Sequence, residues 1–352
     1  MRKQIQNVIS LLSSVPRLKL GFFPTPLHKL EKLSEKLGVN IYIKRDDLTG
    51  ISQFGGNKIR KLEFLLAKAI NDGCDTVITY GATQSNHAMQ TATACRKCGL
   101  HPILYLVSVV EPDGNDMRAN LLLDHILDAE VVIESLNGDN EDTADKRAWE
   151  KSLEHIKRLE AQGHKCCQIP IGGANSIGST GFIAGFIEMT QQMDDMNISA
   201  DYIFQASGSG GTIAGIVAGK KLVGSNAQII GIGVSEKDDS YLKKIVELAN
   251  SAIEYIGSKE KVTTDDFYFD SNYYAPGYEI PNEGGTKAIK ELANTEGIFV
   301  DPVYSGKAFA GMLDYIRSGR IPKGSNVLFW HTGGNTALFA EKDIIGDVGK
   351  KL

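Results

Sequence analysis

Short apolar segments typical of buried strands alternate with longer helical patterns along almost all of this 352-residue chain. Strand-like segments begin at Ile41, Thr76, Pro102, Val131, Asp201, Gln228 and Asn326. Helical patterns occupy residues 58–71, 85–98, 141–161, 182–192, 213–222, 241–255, 286–294 and 307–317. This alternation predicts an α/β protein whose parallel sheets are covered by helices on both faces. The N-terminal segment predicts one further helix and not a secretory signal.

The length allows two domains, but no repeat, low-complexity tract or polar linker marks a boundary between them. A segment rich in glycine and small residues, Ile169 to Phe182, is the candidate crossover between two lobes. The net charge of −5 is too small to favour nucleic acid or an anionic membrane as a partner. No apolar run approaches the length of a membrane span.

The five cysteines do not resemble a disulfide framework. Cys95 and Cys98 form a CxxC pair, which is compatible with half of a metal site, a redox pair or inert core thiols. The adjacent Cys166 and Cys167 have the wrong spacing to complete a four-ligand zinc site, and only His164 lies near them in sequence. We therefore expect inert thiols, no metal and a reducing, cytoplasmic compartment.

Lys58 stands between a Gly-Gly-Asn turn and the predicted start of a helix, in the run GGNKIRKLE from Gly55 to Glu63. A lysine at this place is a candidate Schiff-base nucleophile, although a free lysine, with a pKa of about 10.4, is protonated at neutral pH. Burial would have to lower that pKa. A surface lysine at a helix start is the alternative.

Two turns that follow predicted strands carry polar or glycine-rich sequences. GATQSNHAMQ, Gly81 to Gln90, would direct Ser85, Asn86 and His87 into a crevice at the strand ends, where Ser85 or Asn86 could equally cap the helix. ASGSGGTIAGI, Ala206 to Ile216, could bind a phosphate through backbone N–H groups. It matches neither a Walker loop nor the dinucleotide fingerprint.

Near the C-terminal end of the sequence, Tyr278 and Tyr304 lie beside glycines in GYEIPNEGG and VDPVYSGKAF. HTGGN, His331 to Asn335, could line a site or simply turn the chain. A lysine, a Ser-Asn helix start and an anion-binding loop together meet the needs of pyridoxal phosphate, which requires an amine, a partner for its phenolic oxygen, an anion cradle and a partner for its ring nitrogen.

GGNKIRKLE, TYGATQSNHAMQTA, SGSGGT and DPVYSGKA, in this order, resemble the fold-type II pyridoxal-phosphate enzymes related to tryptophan synthase β. The similarity is greatest to the branch that contains 1-aminocyclopropane-1-carboxylate deaminase and D-cysteine desulfhydrase. It extends from about Phe22 to about Asn335, which is nearly the whole chain.

The resemblance implies roles for individual residues. Lys58 matches the Schiff-base lysine, Asn86 the asparagine that binds the phenolic oxygen, and Ser85 the serine near the substrate carboxylate. Tyr278 and Tyr304 match active-site tyrosines. The phosphate loop corresponds to Ser207, Gly208, Ser209, Gly210, Gly211 and Thr212. Ser305 falls where the partner of the ring nitrogen is found.

Position 305 distinguishes activities within the branch, because the deaminases carry glutamate there and this chain carries serine. A hydroxyl should make the ring a weaker electron sink than a carboxylate would. That favours β-elimination of a good sulfur leaving group over opening of a cyclopropane ring. We expect a β-eliminating lyase in amino-acid metabolism that converts D-cysteine to pyruvate, ammonia and hydrogen sulfide.

Three alternatives remain open: the deaminase activity itself, a lyase for another β-substituted amino acid such as cysteate, and a non-catalytic binding protein on the same scaffold. For architecture, the resemblance implies a two-lobed, three-layer protein. A larger cofactor-binding domain of residues 1–59 and 172–352 would hold an inserted α/β domain of residues 60–171. It also implies a homodimer.

Overall fold

A computed structural model describes residues 2–109 and 117–340 of the chain. Within these ranges the helices are α1 (Arg2–Ser13), α2 (Glu31–Leu37), α3 (Lys58–Asn71), α4 (Asn86–Cys98), α5 (Ala119–Ile126), α6 (Glu141–Ala161), α7 (Ser176–Asp195), α8 (Gly211–Val223), α9 (Ser240–Tyr255), α10 (Glu283–Glu296), α11 (Ser305–Arg317) and α12 (Ala337–Ala340). The strands are β1 (Leu27–Lys29), β2 (Asn40–Arg45), β3 (Thr76–Ala82), β4 (His101–Ser108), β5 (Glu130–Ser135), β6 (Cys166–Ile169), β7 (Tyr202–Ser207), β8 (Gln228–Gly233), β9 (Tyr268–Asp270) and β10 (Asn326–His331).

The strands form two separate sheets. A six-stranded sheet has the order β1-β2-β10-β7-β8-β9, and a four-stranded sheet has the order β5-β4-β3-β6. All pairings are parallel except that of β1 with β2. The smaller sheet comes entirely from residues 76–169, whereas the larger sheet draws on both ends of the chain. The predicted domain boundaries at residues 59/60 and 171/172 are compatible with this topology and stay a prediction.

Helices cover both faces of the larger sheet, as the sequence predicts. Successive residues of one strand point to opposite faces, so that Ile203 packs with α7, α8 and α9 while Phe204 packs with α10 and α11. The smaller sheet has α6 on one face, where Ile78 contacts it, and α3, α4 and α5 on the other. Within the described ranges, every helix is too short or too polar to cross a lipid bilayer.

The glycine-rich segment predicted as a crossover connects β6 of the smaller sheet to α7, which packs on the larger one. Helix α7 begins at Ser176, six residues before the predicted start at Phe182. Glycines at 178 and 181 read as helix breakers in sequence, but here they permit close packing. A Cβ on Gly181 would lie 2.2 Å from the Arg60 carbonyl oxygen, so a larger residue would push α7 away from α3.

Elements absent from the sequence prediction are the short ones, above all β1, β6, β9, α2 and α5. The three strands have only three or four residues each, too few for an apolar alternation to stand out.

Candidate active site

A cavity of about 1070 Å³ opens where the carboxyl ends of β3, β7 and β10 approach one another. Ten of the predicted site residues line it: Lys58, Ser85, Asn86, Ser207, Gly208, Ser209, Gly210, Thr212, Tyr278 and Tyr304. Thr332 and Gly333 of the HTGGN segment form part of its wall. Gly211 and Ser305 are fully buried at the first positions of α8 and α11 and do not line the cavity.

Lys58 is the first residue of α3, and its Nζ donates to Asn57 Oδ1 at 2.8 Å. Burial lowers the pKa of Lys58 to about 8, against an opposing effect from Asp301. The amine is therefore far closer to neutrality at physiological pH than a surface lysine, as a nucleophile requires. Asn57 also donates to Thr212 Oγ1 at 3.0 Å, which ties the lysine turn to the glycine loop.

The orientation of α3 depends on Arg60, which is buried two residues after Lys58. Its guanidinium forms a two-pronged ion pair with Asp46, at 2.7 and 2.8 Å, and also binds Glu188 of α7. The indole N–H of Trp330 in β10 donates to the same Asp46 carboxylate at 2.8 Å. Paired buried charges of this kind lock one arrangement of packed elements, because separating them leaves a charge without compensation.

Ser85 caps α4, since its hydroxyl accepts the Ala88 N–H at 3.2 Å, and it lines the cavity as well. The Oδ1 of Asn86 accepts hydrogen bonds from Asn120 Nδ2 at 2.9 Å and from Thr336 Oγ1 at 3.2 Å. These two contacts assign the amide orientation and leave Asn86 Nδ2 as a donor. The sequence analysis missed Asn120 and Thr336, because no motif links residues 34 and 250 positions away from Asn86.

His87 is buried, and its Nε2 lies 2.8 Å from Thr79 Oγ1. The Thr79 hydroxyl donates to the Ile169 carbonyl at 2.9 Å, so the hydrogen between His87 and Thr79 belongs to the imidazole. Burial, followed by Lys58 and Lys61, lowers the pKa of His87 well below its ordinary value. The ring is therefore neutral and packs inside the site wall.

The glycine loop between β7 and α8 exposes backbone donors. Gly210 has φ +92°, a conformation that strains other residues, and no side chain caps α8. The first N–H groups of the helix are thus available to an anion, which the helix dipole also favours. A Cβ on Gly211 would lie 2.9 Å from Lys61 Nζ and 3.0 Å from Ala174 Cα.

Lys61 is a fully buried lysine beneath this loop that the sequence analysis did not identify. Its Nζ donates to the Gly172 carbonyl at 2.9 Å, and burial lowers its pKa well below the ordinary value. One turn of helix separates it from Lys58, a spacing that places both on the same face of α3. An anion held by the loop would supply the negative charge that Lys61 lacks in its surroundings.

Tyr278 and Tyr304 meet through a contact between their hydroxyl groups. Burial raises the pKa of both phenols, most strongly for Tyr278. Both groups therefore stay protonated at neutral pH. One of the two hydrogens lies between them, which leaves one phenol able to donate a hydrogen bond into the cavity.

Ser305 begins α11 behind Tyr304, and its hydroxyl donates to Asp301 Oδ1 at 2.5 Å. The Asp301 carboxylate is fully buried and also accepts three backbone N–H groups. The sequence analysis assigned no role to Asp301, because the residue that immediately precedes α11 is Tyr304 and nothing in the sequence marks a carboxylate three positions earlier.

These residues fit pyridoxal phosphate: a lysine of lowered pKa for its aldehyde, an uncapped helix start with a buried lysine for its phosphate, and an oriented amide donor at Asn86. Among the described residues no group of three or more His, Cys, Asp or Glu side chains could hold a metal ion. Cys95 and Cys98 are free, and burial raises the pKa of each thiol, which lowers their reactivity.

Comparison with known proteins also indicates a pyridoxal-phosphate enzyme. The family described as pyridoxal-phosphate dependent enzyme matches residues 18–333. A protein named D-cysteine desulfhydrase from Salmonella typhi is 40% identical over 94% of this chain and 97% of its own length. One of the same name from Klebsiella pneumoniae is 42% identical with the same coverage. A crystal structure described as an ACC deaminase homologue superposes with a TM-score of 0.85 at 36% identity, covering 96% of this chain and 98% of that one.

Proposed function

The chain belongs to the family of pyridoxal-phosphate-dependent enzymes, and from that premise we propose that it is a β-eliminating lyase acting on D-cysteine. The products would be pyruvate, ammonia and hydrogen sulfide. The observation that carries the proposal is the Lys58 amine, with its lowered pKa, in one cavity with Ser85, Asn86 and the glycine loop. The names of the relatives that match over nearly the whole chain support the substrate.

In the proposed arrangement, Lys58 would bind the cofactor aldehyde, Asn86 Nδ2 would donate to its phenolic oxygen, and the 207–212 loop would hold its phosphate. Bound pyridoxal phosphate supplies a ring that accepts the electron pair released at the substrate α-carbon. The surrounding side chains would bind the substrate and transfer protons.

The Lys58 amine would also take the substrate α-proton, because its lowered pKa leaves it partly neutral. A tyrosine beside it is the alternative base. Burial raises the pKa of Tyr278 and Tyr304, so the pair stays protonated and would offer a hydrogen bond to the departing sulfur instead of acting as a base. Ser85 and the start of α4 would hold the substrate carboxylate.

The experiment is a substrate panel with the purified, cofactor-loaded protein: D-cysteine, L-cysteine, 1-aminocyclopropane-1-carboxylate and cysteate. Sulfide, ammonia, keto-acid and sulfite release are measured for each. We expect sulfide and pyruvate from D-cysteine at the highest kcat/KM. Ring opening or sulfite release as the fastest reaction would instead support one of the alternative substrates.

Lys58→Ala should lower turnover by a factor of about 10³ or more, since it removes the group that binds the cofactor and moves the proton. Lys68→Ala is the matched control, because Lys68 lies on the same helix, is exposed and pairs only with Asp72 among the described residues. Wild-type sulfide release from Lys58→Ala would contradict the proposal, and a protein that takes up no pyridoxal phosphate would revive the non-catalytic alternative.

We also propose a cytoplasmic homodimer. The five free cysteines fit a reducing compartment. The dimer comes from the family resemblance, and light scattering coupled to gel filtration tests it directly: a mass of one chain would contradict it.

A further inference from the structure

Residues 273–278, called the tyrosine segment below, lie between β9 and α10 and form part of the cavity wall. The segment contains no helix or strand, and among the described residues it makes no backbone-to-backbone hydrogen bond. Carbonyl groups turned away from water need donors, so neighbouring side chains have to supply them. The conformation of the segment therefore depends on those side chains. Its members that line the cavity are Tyr274, Pro276, Gly277 and Tyr278.

Lys307 of α11 binds the tyrosine segment from its buried side. Its Nζ donates to the carbonyl oxygen of Tyr274 at 3.1 Å and to that of Gly277 at 2.8 Å. Both acceptors belong to residues that line the cavity, whereas the lysine itself is fully buried behind them. One amine thus joins two points of the segment, and the second point is directly before Tyr278.

Asn282 binds two further carbonyl groups of the segment but also has a second task. Its Nδ2 donates to the carbonyl oxygens of Tyr273 and Ala275, both at 2.9 Å, and its Oδ1 accepts the Gly285 N–H at 2.7 Å. Capping of α10 explains Asn282 whether or not the segment has a function. Among the described residues, Lys307 Nζ hydrogen-bonds to the tyrosine segment alone, so holding that segment is what its amine does.

The Lys307 amine is mostly charged at neutral pH. Burial lowers its pKa to about 8, against an opposing effect from the buried carboxylate of Asp301. About nine-tenths of the amine is then protonated at pH 7. A charged donor forms stronger hydrogen bonds than a neutral one, and a buried ammonium without acceptors would be highly unfavourable. Lys307 and the two carbonyl groups therefore stabilise one arrangement of the segment.

Tyr278 is constrained at the end of the segment. Its hydroxyl contacts that of Tyr304, which lies three residues before Lys307 and directly precedes α11. Glu279, the next residue after Tyr278, has φ +59°, a left-handed conformation that persists in residues other than glycine only where surrounding contacts enforce it. The start of α11 thus holds the segment twice, through the backbone at Lys307 and through a phenol at Tyr304.

We propose that Lys307 is a positioning residue that acts through the tyrosine segment to hold Tyr278 against Tyr304 at the cavity. The inference rests on the proposed part of these phenols in elimination, a hydrogen bond to the departing sulfur. Without the ammonium, the carbonyl groups of Tyr274 and Gly277 lose their donor and turn toward water, which releases the Tyr278 ring. The sequence analysis assigned no role to the lysine of the motif DPVYSGKA.

The placement of Tyr278 is tested without substrate by ¹⁹F NMR of the cofactor-loaded protein labelled with meta-fluorotyrosine. Tyr278→Phe and Tyr304→Phe assign the two resonances. Lys307→Met, which keeps a side chain of similar length but removes its donors, should shift both resonances. Lys287→Met is the matched control and should shift neither, because Lys287 is exposed and pairs only with Glu283 among the described residues.

Turnover separates positioning from a structural role. With the fastest substrate of the panel, Lys307→Met should lower kcat by about 10- to 100-fold, as expected when a proton or hydrogen-bond donor is misplaced, and leave the affinity for pyridoxal phosphate unchanged. In a Tyr278→Ala background the same substitution should lower kcat no further, because no phenol remains to be placed. A merely structural role would add the two losses.

Lys307→Gln is the second variant, in case Lys307→Met does not fold. Its amide keeps an N–H donor without the charge, so its ¹⁹F shifts and kcat should lie between those of wild type and Lys307→Met. The proposal is overturned if neither variant moves the Tyr278 and Tyr304 resonances, or if Lys307→Met lowers kcat equally with and without the Tyr278 side chain. A failure to turn over D-cysteine would contradict the proposed substrate and not this placement, because the resonances are recorded without substrate.

Discussion

At the β7–α8 turn the cavity presents backbone N–H groups with a buried lysine beneath them, whereas behind the start of α11 it is backed by a side-chain pair, Asp301 and Ser305. The first region depends on the shape of the chain, since glycine is required at 210 and 211. The second depends on hydrogen bonds to a buried carboxylate. Substitutions should therefore affect the two regions in different ways: added volume harms the first, and isosteric changes of charge harm the second.

Of the substitutions that compare the two regions, added volume at the glycine loop is expected to have the largest effect. Gly211→Ala places a Cβ against Lys61 Nζ and Ala174 Cα, at 2.9 and 3.0 Å, and should weaken cofactor binding by roughly 10- to 100-fold, or about 1–3 kcal/mol. Titration of the apoenzyme with pyridoxal phosphate measures this. Gly224→Asn, at the opposite end of α8, is the control and should leave affinity unchanged. Equal losses from both would show that helix stability, and not the loop, sets affinity.

A second carboxylate at the other region should reduce stability. Ser305→Glu brings a carboxylate against the buried Asp301 and into a fully buried position, which should lower the free energy of unfolding by about 1–3 kcal/mol. Adding Asp301→Asn removes the repulsion and should recover part of the loss. Urea unfolding of the single and double variants makes the comparison. If the double variant is no more stable than Ser305→Glu, the added volume alone lowers the free energy of unfolding, as we expect at the glycine loop.

The pH dependence of cofactor uptake reports on Lys58, which lies between the two regions. With a pKa of about 8, half of the amine is neutral at pH 8, and the neutral fraction levels off about one pH unit higher. Uptake should accelerate about fivefold from pH 7 to pH 8 and little beyond pH 9. Stopped-flow absorbance at the cofactor band measures the rate. A rate that continues to climb toward pH 10 would indicate an ordinary, solvated lysine.

The smallest effect is expected where a side chain only orients another side chain. Asn120→Leu and Thr336→Val each remove one of the two donors to Asn86 Oδ1, worth about 1 kcal/mol, and should weaken cofactor binding several-fold. Thr93→Val is the control. Thr93 lies on α4, the helix that begins at Asn86, and its hydroxyl binds only Met89 among the described residues. If both variants bind the cofactor as tightly as Thr93→Val does, the two hydrogen bonds to Asn86 Oδ1 are not needed to orient that side chain.

Much of the site could be read from short motifs because its chemistry is local in the chain. Lys58 begins a helix after a Gly-Gly-Asn turn, and Ser85 caps one. The 207–212 loop joins a strand to a helix, as its glycines indicate. The sequence predicts the start of α7 six residues too late, because a glycine can either end a helix or allow two helices to pack closely. The sequence does not say which use applies at Gly181 until Arg60 is known to lie against it.

By itself the sequence determined the alternating α/β pattern, the lysine at a helix start and the anion-binding turn, since each follows from the sterics and hydrogen bonding of neighbouring residues. Only the tertiary structure decided which groups surround them: Asn120 and Thr336 at Asn86, the Arg60–Asp46–Glu188 ion network, and the burial that lowers the pKa of Lys58. The physical reason is that desolvation and hydrogen-bond partnership depend on distance in space, and packing brings together residues that are hundreds of positions apart in the chain.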